Sequence, residues 1–438
     1  MYNGYVVTIK NIRPHPNADR LQIVTVFNED VIVDLSYHEG NKCVYFPSDG
    51  QLGKEFCEVN NLVRKKDENG NNIGGYLDPD KRNVKAIKLR GSFSDGLLLP
   101  IKSLETFTDI DALQEGQPIS EFDGVIICKK YIPKTNKRVH NNSNVKTNKK
   151  EAKEKKSYPF FLEHKDTKQL RFCTDSFKVG DLCTITLKMH GTSARTSNSI
   201  EVVKQRRNWI LRNVFKQGPK ISKTWKVVSG TRRVVLKNDN YADGWYKDNN
   251  FRKKYHDLLV DKLPKGMTIY MELVGYVNEN TSIMATCNNS KISDPEFKKQ
   301  YGEETVFHYG CNIGENDCYV YRITMQNEDG VAIELSWSDV KIWCEKLGLK
   351  YVPEFETFFF TTVEDLWERV YKYYDGPDPI GKTHVREGVV VRIENRESFT
   401  AYKCKNDNFK ILEGIMKETA DAPDIEEAQE EFCTPVEV

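Results

Sequence analysis

The sequence has no run of about 18 apolar residues, so no segment reads as a membrane-spanning helix. Its opening residues, MYNGYVVTIK, hold no apolar core of the kind a secretory signal needs. Eleven cysteines occur, an odd number with no CxxC pair. Irregular spacing of this sort excludes a disulfide framework and points to a reducing compartment. His308, Cys311 and Cys318 come nearest to metal-ligand spacing, but no fourth ligand lies close by, so they read as buried thiols beside a histidine. An excess of one charge is also missing: 65 Lys and Arg face 64 Asp and Glu, a net of +1. The global balance therefore says nothing about partners, and only local clusters can. No internal repeat is visible. A chain of 438 residues with 39% hydrophobic content is expected to form two or three domains of a soluble, cytoplasmic protein.

Residues 1–125 read as short strands. YVVTIKNI, LQIVTVF, VIVDLSY and KCVYFP are β-rich and separated by Gly, Pro, Asn and Asp. Evenly spaced short strands suggest a small barrel. Two phrases, HPNADRLQ from His15 and KLRGSFSDGLLLP from Lys88, resemble the OB-fold tRNA-binding modules appended to some aminoacyl-tRNA synthetases. Their residues also suit turn and closure elements of the barrel itself, whatever it binds.

Residues 126–160 carry eleven Lys or Arg against two Glu and few apolar residues, so they read as a basic flexible linker. The stretch 161–415 is mixed α and β, with strands at DLCTITLKM, GMTIYMELVGY, DCYVYRI and EGVVVRI. Amphipathic helices are expected at DNNFRKKYHDLLVDKL and SWSDVKIWCEKLGL. After Lys417 come eight acidic residues and no basic ones, an acidic tail over 416–438 with no assigned chemistry. The fold class is α+β.

Five local patterns follow one another after the linker: Lys188-Met-His-Gly191-Thr-Ser193 after a strand; Glu272 in IYMELVGY; Tyr319-Val-Tyr321-Arg-Ile323; Glu387-Gly388; and Lys403-Cys-Lys405, with Phe409 four residues on. Taken singly, each has an ordinary structural explanation. Their joint order resembles the motifs of covalent nucleotidyltransferases, the superfamily of ATP-dependent ligases and mRNA capping enzymes, over about 250 residues. The forms KxHGTS, YRI and KCKN look most like RNA ligases. A capping enzyme or DNA ligase would carry an OB domain after the last motif. Here only about thirty residues follow, acidic on balance, and the barrel comes first. That arrangement resembles the RNA ligases of the Deinococcus and Naegleria type, with an N-terminal OB module.

The resemblance implies an adenylyltransferase domain of ATP-grasp-like antiparallel sheets plus helices. It implies ATP and Mg²⁺ or Mn²⁺ as cofactors, and RNA, as a nicked duplex or broken strands, as partner; the chain is expected to act as a monomer. Lys188 would carry AMP. A lysine amine attacks only when unprotonated, and nearby cations with partial burial favour that form. Residues two apart on a strand face one side, so Lys403 and Lys405 would aim into the same pocket and offset phosphate charge. Glu272 and Glu387 would hold metal, or one of them the ribose hydroxyls. Tyr321 would offer adenine an aromatic face, with Gly191 and Ser193 lining the nucleotide. Many ligases have Asp where His190 stands; the branch represented by the second RNA ligase of T-even phages also has His there. Arg206 lies where the family places a basic nucleotide-binding residue, and Arg171, with Lys168, where relatives bind phosphate.

Residues 202–237 hold eleven Lys or Arg and no acid, interleaved with Trp209, Phe215 and Trp225. This pattern suits a nucleic-acid backbone and stacked bases, with Arg206, Arg207, Arg212 and Lys216 as candidate RNA contacts. It equally suits a solvated insertion with a few packed aromatics. The alternatives left open are a DNA ligase or guanylyltransferase of the same superfamily, and a non-enzymatic tRNA- or RNA-binding factor.

Overall fold

The computed structural model describes every residue except 1, 71–72, 133–153, 237–249, 293 and 417–438. The chain divides into two compact units.

The first unit comprises Met1–Lys134, Cys287–Glu304 and Asp407–Ala420. Its central sheet runs in the order Pro118–Ile119, Gly4–Thr8, Lys42–Phe46, Leu97–Pro100. Both faces are buried, because alternate residues enter two cores. Val6, Val44, Phe46, Leu97 and Leu99 pack with Leu52, Phe56 and Leu104. Val7, Cys43, Tyr45 and Leu98 pack with Val24, Val31 and Val33 from the meander Ile12–Pro14, Leu21–Val26, Glu29–Asp34. The two phrases singled out in the sequence meet one another. The His15 ring lies 3.2 Å from the Leu89 carbonyl, and Asn17 donates its side-chain N–H to the Arg90 carbonyl at 3.0 Å. They act here as closure elements of the barrel. The helix Asp407–Met416 belongs to this unit: Lys410 reaches Glu29 at 2.7 Å and the fully buried Asp95 at 3.0 Å.

The expected boundaries shift in consequence. Cys128–Lys130, inside the expected linker, pairs with Gly50–Leu52, and Glu154–Ser157 pairs with Val202–Gln205. Both strands were hidden by lysines on their exposed edges, which lower the apolar content that marks a strand. Residues 287–304 and 407–416, expected in the catalytic span, pack with the N-terminal unit instead. The middle of the linker, 133–153, and the acidic tail from 417 lie outside the described residues.

The second unit comprises Thr135–Thr286, Thr305–Asn406 and Asp421–Val438. One sheet is ordered Lys168–Gln169, Ala401–Lys405, Gly388–Ile393, Leu182–Lys188, Glu354–Phe359. Cys183, Ile185, Val389, Val391, Tyr402 and Cys404 pack from one face against Leu366 and Val370 of the helix Val363–Tyr373. By alternation the other face carries Thr186, Lys188, Val390, Arg392, Lys403 and Lys405. The second sheet is built on Thr192–Gln205, Met267–Asn278 and Asn316–Gln326, with Lys220–Gly230 along one edge. Arg392 ties the sheets together, donating to the Tyr321 carbonyl at 2.8 Å and to the Leu335 carbonyl at 3.3 Å.

Candidate active site

Lys188 ends its strand in register with Gly388, which is in register with Lys405 on the next strand. The middle position has no side chain, and it can have none. Gly388 has φ of +140°, and a Cβ there would lie 2.1 Å from the Cys404 carbonyl oxygen. Glu387, one residue earlier, fills the space between the two lysines. Its Oε1 is 2.7 Å from Lys188 Nζ and 3.8 Å from Lys405 Nζ, so one buried carboxylate faces two ammonium groups. Its Oε2 is buried with no hydrogen-bond partner among the described residues.

The turn after Lys188 is drawn tightly onto the second sheet. A Cβ at Gly191 would fall 2.3 Å from the Leu273 carbonyl oxygen and 3.0 Å from Glu272 Cγ. Ser193 sits opposite Glu272 and donates its hydroxyl to Glu272 Oε2 at 3.4 Å. His190 is buried; its backbone N–H donates to the Tyr309 hydroxyl at 2.7 Å, and its Nδ1 lies 3.9 Å from Glu387 Oε2. The His190 ring meets Phe307 edge-on at 4.7 Å between centroids. Burial pushes the Tyr309 hydroxyl well above its ordinary pKa, reinforced by Glu387, Asp378 and Glu272, although the His190 N–H works in the other direction. Tyr309 also packs edge-on against His384 at 4.4 Å. Burial pulls the His384 imidazole down to about 4, against the opposing pull of Asp378.

A third group lies around Tyr321. Its hydroxyl shares a 2.9 Å hydrogen bond with His164 Nδ1, and burial, then Glu272, raises its pKa. Asp166 accepts from Arg232 and lies 3.8 Å from His164 Nε2. Burial pushes the Asp166 carboxyl up, but Arg232, His164 and Lys403 outweigh it and hold it below its ordinary value. Lys403 is in register with Gln169, two residues before Arg171, whose guanidinium lies 4.9 Å over the Phe172 ring.

Lys188, Gly191, Ser193, Glu272, Glu387 and Lys405 are thus brought together from separate strands. Arg206 is not brought to them. It follows a strand that runs unbroken from Thr192 to Gln205. At about 3.3 Å per residue, that strand carries it roughly 40 Å from Ser193. Its expected place beside the nucleotide rested on its position in the sequence alone. Arg207, Arg212 and Lys216 share this remote end. The arginine that does reach the turn is Arg252, buried and donating to Thr192 Oγ1 at 2.6 Å. Arg252, Tyr309, Phe307 and His384 sit in segments without motif spacing, while Arg232 lies in the basic stretch 202–237 and His164 just before Lys168 and Arg171 without being singled out. His308 and Cys311 are joined through a 3.0 Å contact between His308 Nδ1 and the Cys311 carbonyl.

The group can hold an anionic substrate between Lys188, Lys405 and Lys403, with carboxylates at its edge. Among the described residues no three His, Cys, Asp or Glu converge as a metal cage. A divalent cation on Glu387 Oε2 would keep water and phosphate as its other ligands, the habit of Mg²⁺.

No curated protein matches the sequence. Solved structures do. A Naegleria gruberi RNA ligase variant with ATP and Mn superposes with a TM-score of 0.57 at 15% identity, covering 93% of this chain and 98% of that one. A second variant with ATP and Mn gives 0.56 at 16%, covering 95% and 99%. The same ligase with pyrophosphate gives 0.56 at 14%, covering 93% and 97%. At such identities the likeness is one of fold. Residues 5–101 match an OB-fold domain family. Residues 181–412, more than half of the chain, match the family described as RNA ligase, and the chain belongs to that family.

Proposed function

We propose that this protein is an ATP-dependent RNA ligase joining 3′-OH and 5′-phosphate ends, with Lys188 as the residue that carries AMP. The observation that carries the reading is Lys188, Gly388 and Lys405 in register, with the Glu387 carboxylate between the two amines. Lys188 Nζ attacks the α-phosphorus of ATP; an N–P bond forms and pyrophosphate leaves. Glu387, 2.7 Å from that nitrogen, is the nearest acceptor for its proton. Lys405 and Lys403 offset charge on the phosphates. An RNA 5′-phosphate then takes the AMP from Lys188, and the 3′-OH displaces AMP to seal the strand. Tyr321, Gly191, Ser193 and Glu272 line the nucleotide, and Arg171 extends the cationic wall. Glu387 and Glu272 are the residues that would hold Mg²⁺ or Mn²⁺, which stabilises developing phosphate charge when bound.

The substrates of this reading are RNA breaks, including nicks in a duplex, met by a monomer in the cytoplasm. The ten described cysteines are all free, in keeping with a reducing compartment. The test is labelling with α-³²P-ATP and, separately, α-³²P-GTP, for wild type and Lys188→Ala, followed by sealing of RNA and DNA strands. ATP label on wild type alone, chased into sealed RNA, is the expected result. GTP label would make the protein a guanylyltransferase, DNA-selective sealing a DNA ligase. No label in either metal, on protein shown free of AMP, would leave an RNA-binding factor.

A further inference from the structure

The strands Thr192–Gln205 and Lys220–Gly230 pair from Arg195 opposite Gly230 to Gln205 opposite Lys220. Their far end is a built tip. Asn208 caps the helix Trp209–Asn213, accepting the Leu211 N–H at 3.0 Å, and Arg207 Nε donates to the Gly218 carbonyl at 3.0 Å. This tip turns apolar side chains outward: Trp209 is 65% exposed and Phe215 63%, with Ile210, Val214 and Ile221 exposed beside them. Lys204, Lys216, Lys220 and Lys223 are exposed around them, and Lys204 sits opposite Ile221. No acidic residue occurs from 202 to 236. Farther down the ribbon Glu201 is buried and held by the Tyr158 hydroxyl at 2.6 Å and Lys226 at 3.5 Å, and on the neighbouring strand Glu154 is in register with Gln205.

A cluster of outward aromatic and aliphatic groups is uncommon on a surface that meets only water. Ringed by exposed lysines on a loop that itself holds no acid, it selects a polyanion that also offers flat apolar faces. Unpaired nucleic acid has both: phosphates for the lysines and base faces for Trp209 and Phe215. A duplex hides those faces within its stack. We propose that this tip is a docking surface for the unpaired RNA strand that flanks the break. The inference rests on the reading of the protein as an RNA ligase. With the tip roughly 40 Å along the strand from Ser193, it engages RNA well away from the ends being joined.

The test uses the full chain and the double variant Trp209→Ala/Phe215→Ala, with fluorescence anisotropy of an oligouridylate of about 12 nucleotides, within the range of known single-strand sites, and of a blunt RNA duplex of the same length. Lysyl-AMP formation, which involves ATP alone, serves as the folding control. The expected result is at least about tenfold weaker oligouridylate binding, as loss of one or two stacked bases implies, with duplex affinity changed less than about twofold. Unchanged oligouridylate binding, or equal loss for both probes, overturns the proposal. So does loss confined to phosphatidylserine vesicles or to self-association. Absence of lysyl-AMP in wild type would instead count against the ligase reading, while the two anisotropy arms still decide the docking surface.

Discussion

The Tyr309 hydroxyl accepts the backbone N–H of His190 at 2.7 Å, two residues beyond Lys188. The contact crosses 119 residues of sequence and fixes the turn that follows Lys188. Tyr309→Phe leaves that buried N–H unsatisfied, a loss of about 1–3 kcal/mol. Lysyl-AMP formation is expected to slow by about tenfold or more, measured by single-turnover labelling at saturating ATP, while the far-UV circular dichroism stays as in wild type. A wild-type rate would show that the turn holds itself.

Glu387 faces two ammonium groups through Oε1, and its Oε2 has no hydrogen-bond partner among the described residues. Glu387→Gln keeps the shape and removes the charge. The rate of lysyl-AMP formation is expected to fall by about 10²–10³, the usual scale for one preorganised charge, and the Mg²⁺ or Mn²⁺ concentration for half-maximal rate to rise. A metal titration of both proteins checks this; an unshifted midpoint would remove Glu387 from the metal.

His384 gives a pH signature. Its folded value is pulled down to about 4 by burial, with Asp378 opposing and His190 and His308 adding to it. An unfolded imidazole near 6.5 binds more protons than the folded one between those values. The contribution is therefore complete above pH 6.5 and is lost as pH falls toward 4, on the order of 3 kcal/mol in all. Urea unfolding at pH 7 and pH 4.5 should show the loss, and His384→Gln should flatten it.

Lys410 is the cation that Glu29 and Asp95 share in a buried charge cluster. Lys410→Ala strands Asp95, which is fully buried, and is expected to destabilise the N-terminal unit by about 3–5 kcal/mol. Lys410→Ala with Asp95→Asn should recover part of that, in a thermal melt of the full chain.

The motif residues stand out in the sequence because the chemistry proposed for them limits the residue type. An amine nucleophile, a Lys-x-Lys on one strand face and a glycine where backbone crosses backbone admit few substitutes. The strands bearing them follow from alternation that the sequence displays openly, as in Cys183, Ile185, Val389 and Val391. Arg206 misled because spacing along a chain says nothing about where a strand stops. Thr192–Gln205 stays paired with one neighbour or another along its whole length and so never turns back.

The sequence by itself determined the order of the reactive groups and the faces they occupy, since periodicity and residue chemistry are local properties. Only the tertiary structure decided which distant groups support them. Tyr309 under His190, Arg252 on Thr192, Arg232 and His164 beside Tyr321, and the C-terminal helix packed with the N-terminal barrel are contacts between segments far apart in the chain. Burial and packing fix such contacts, and neither leaves a pattern along the chain that brings them about.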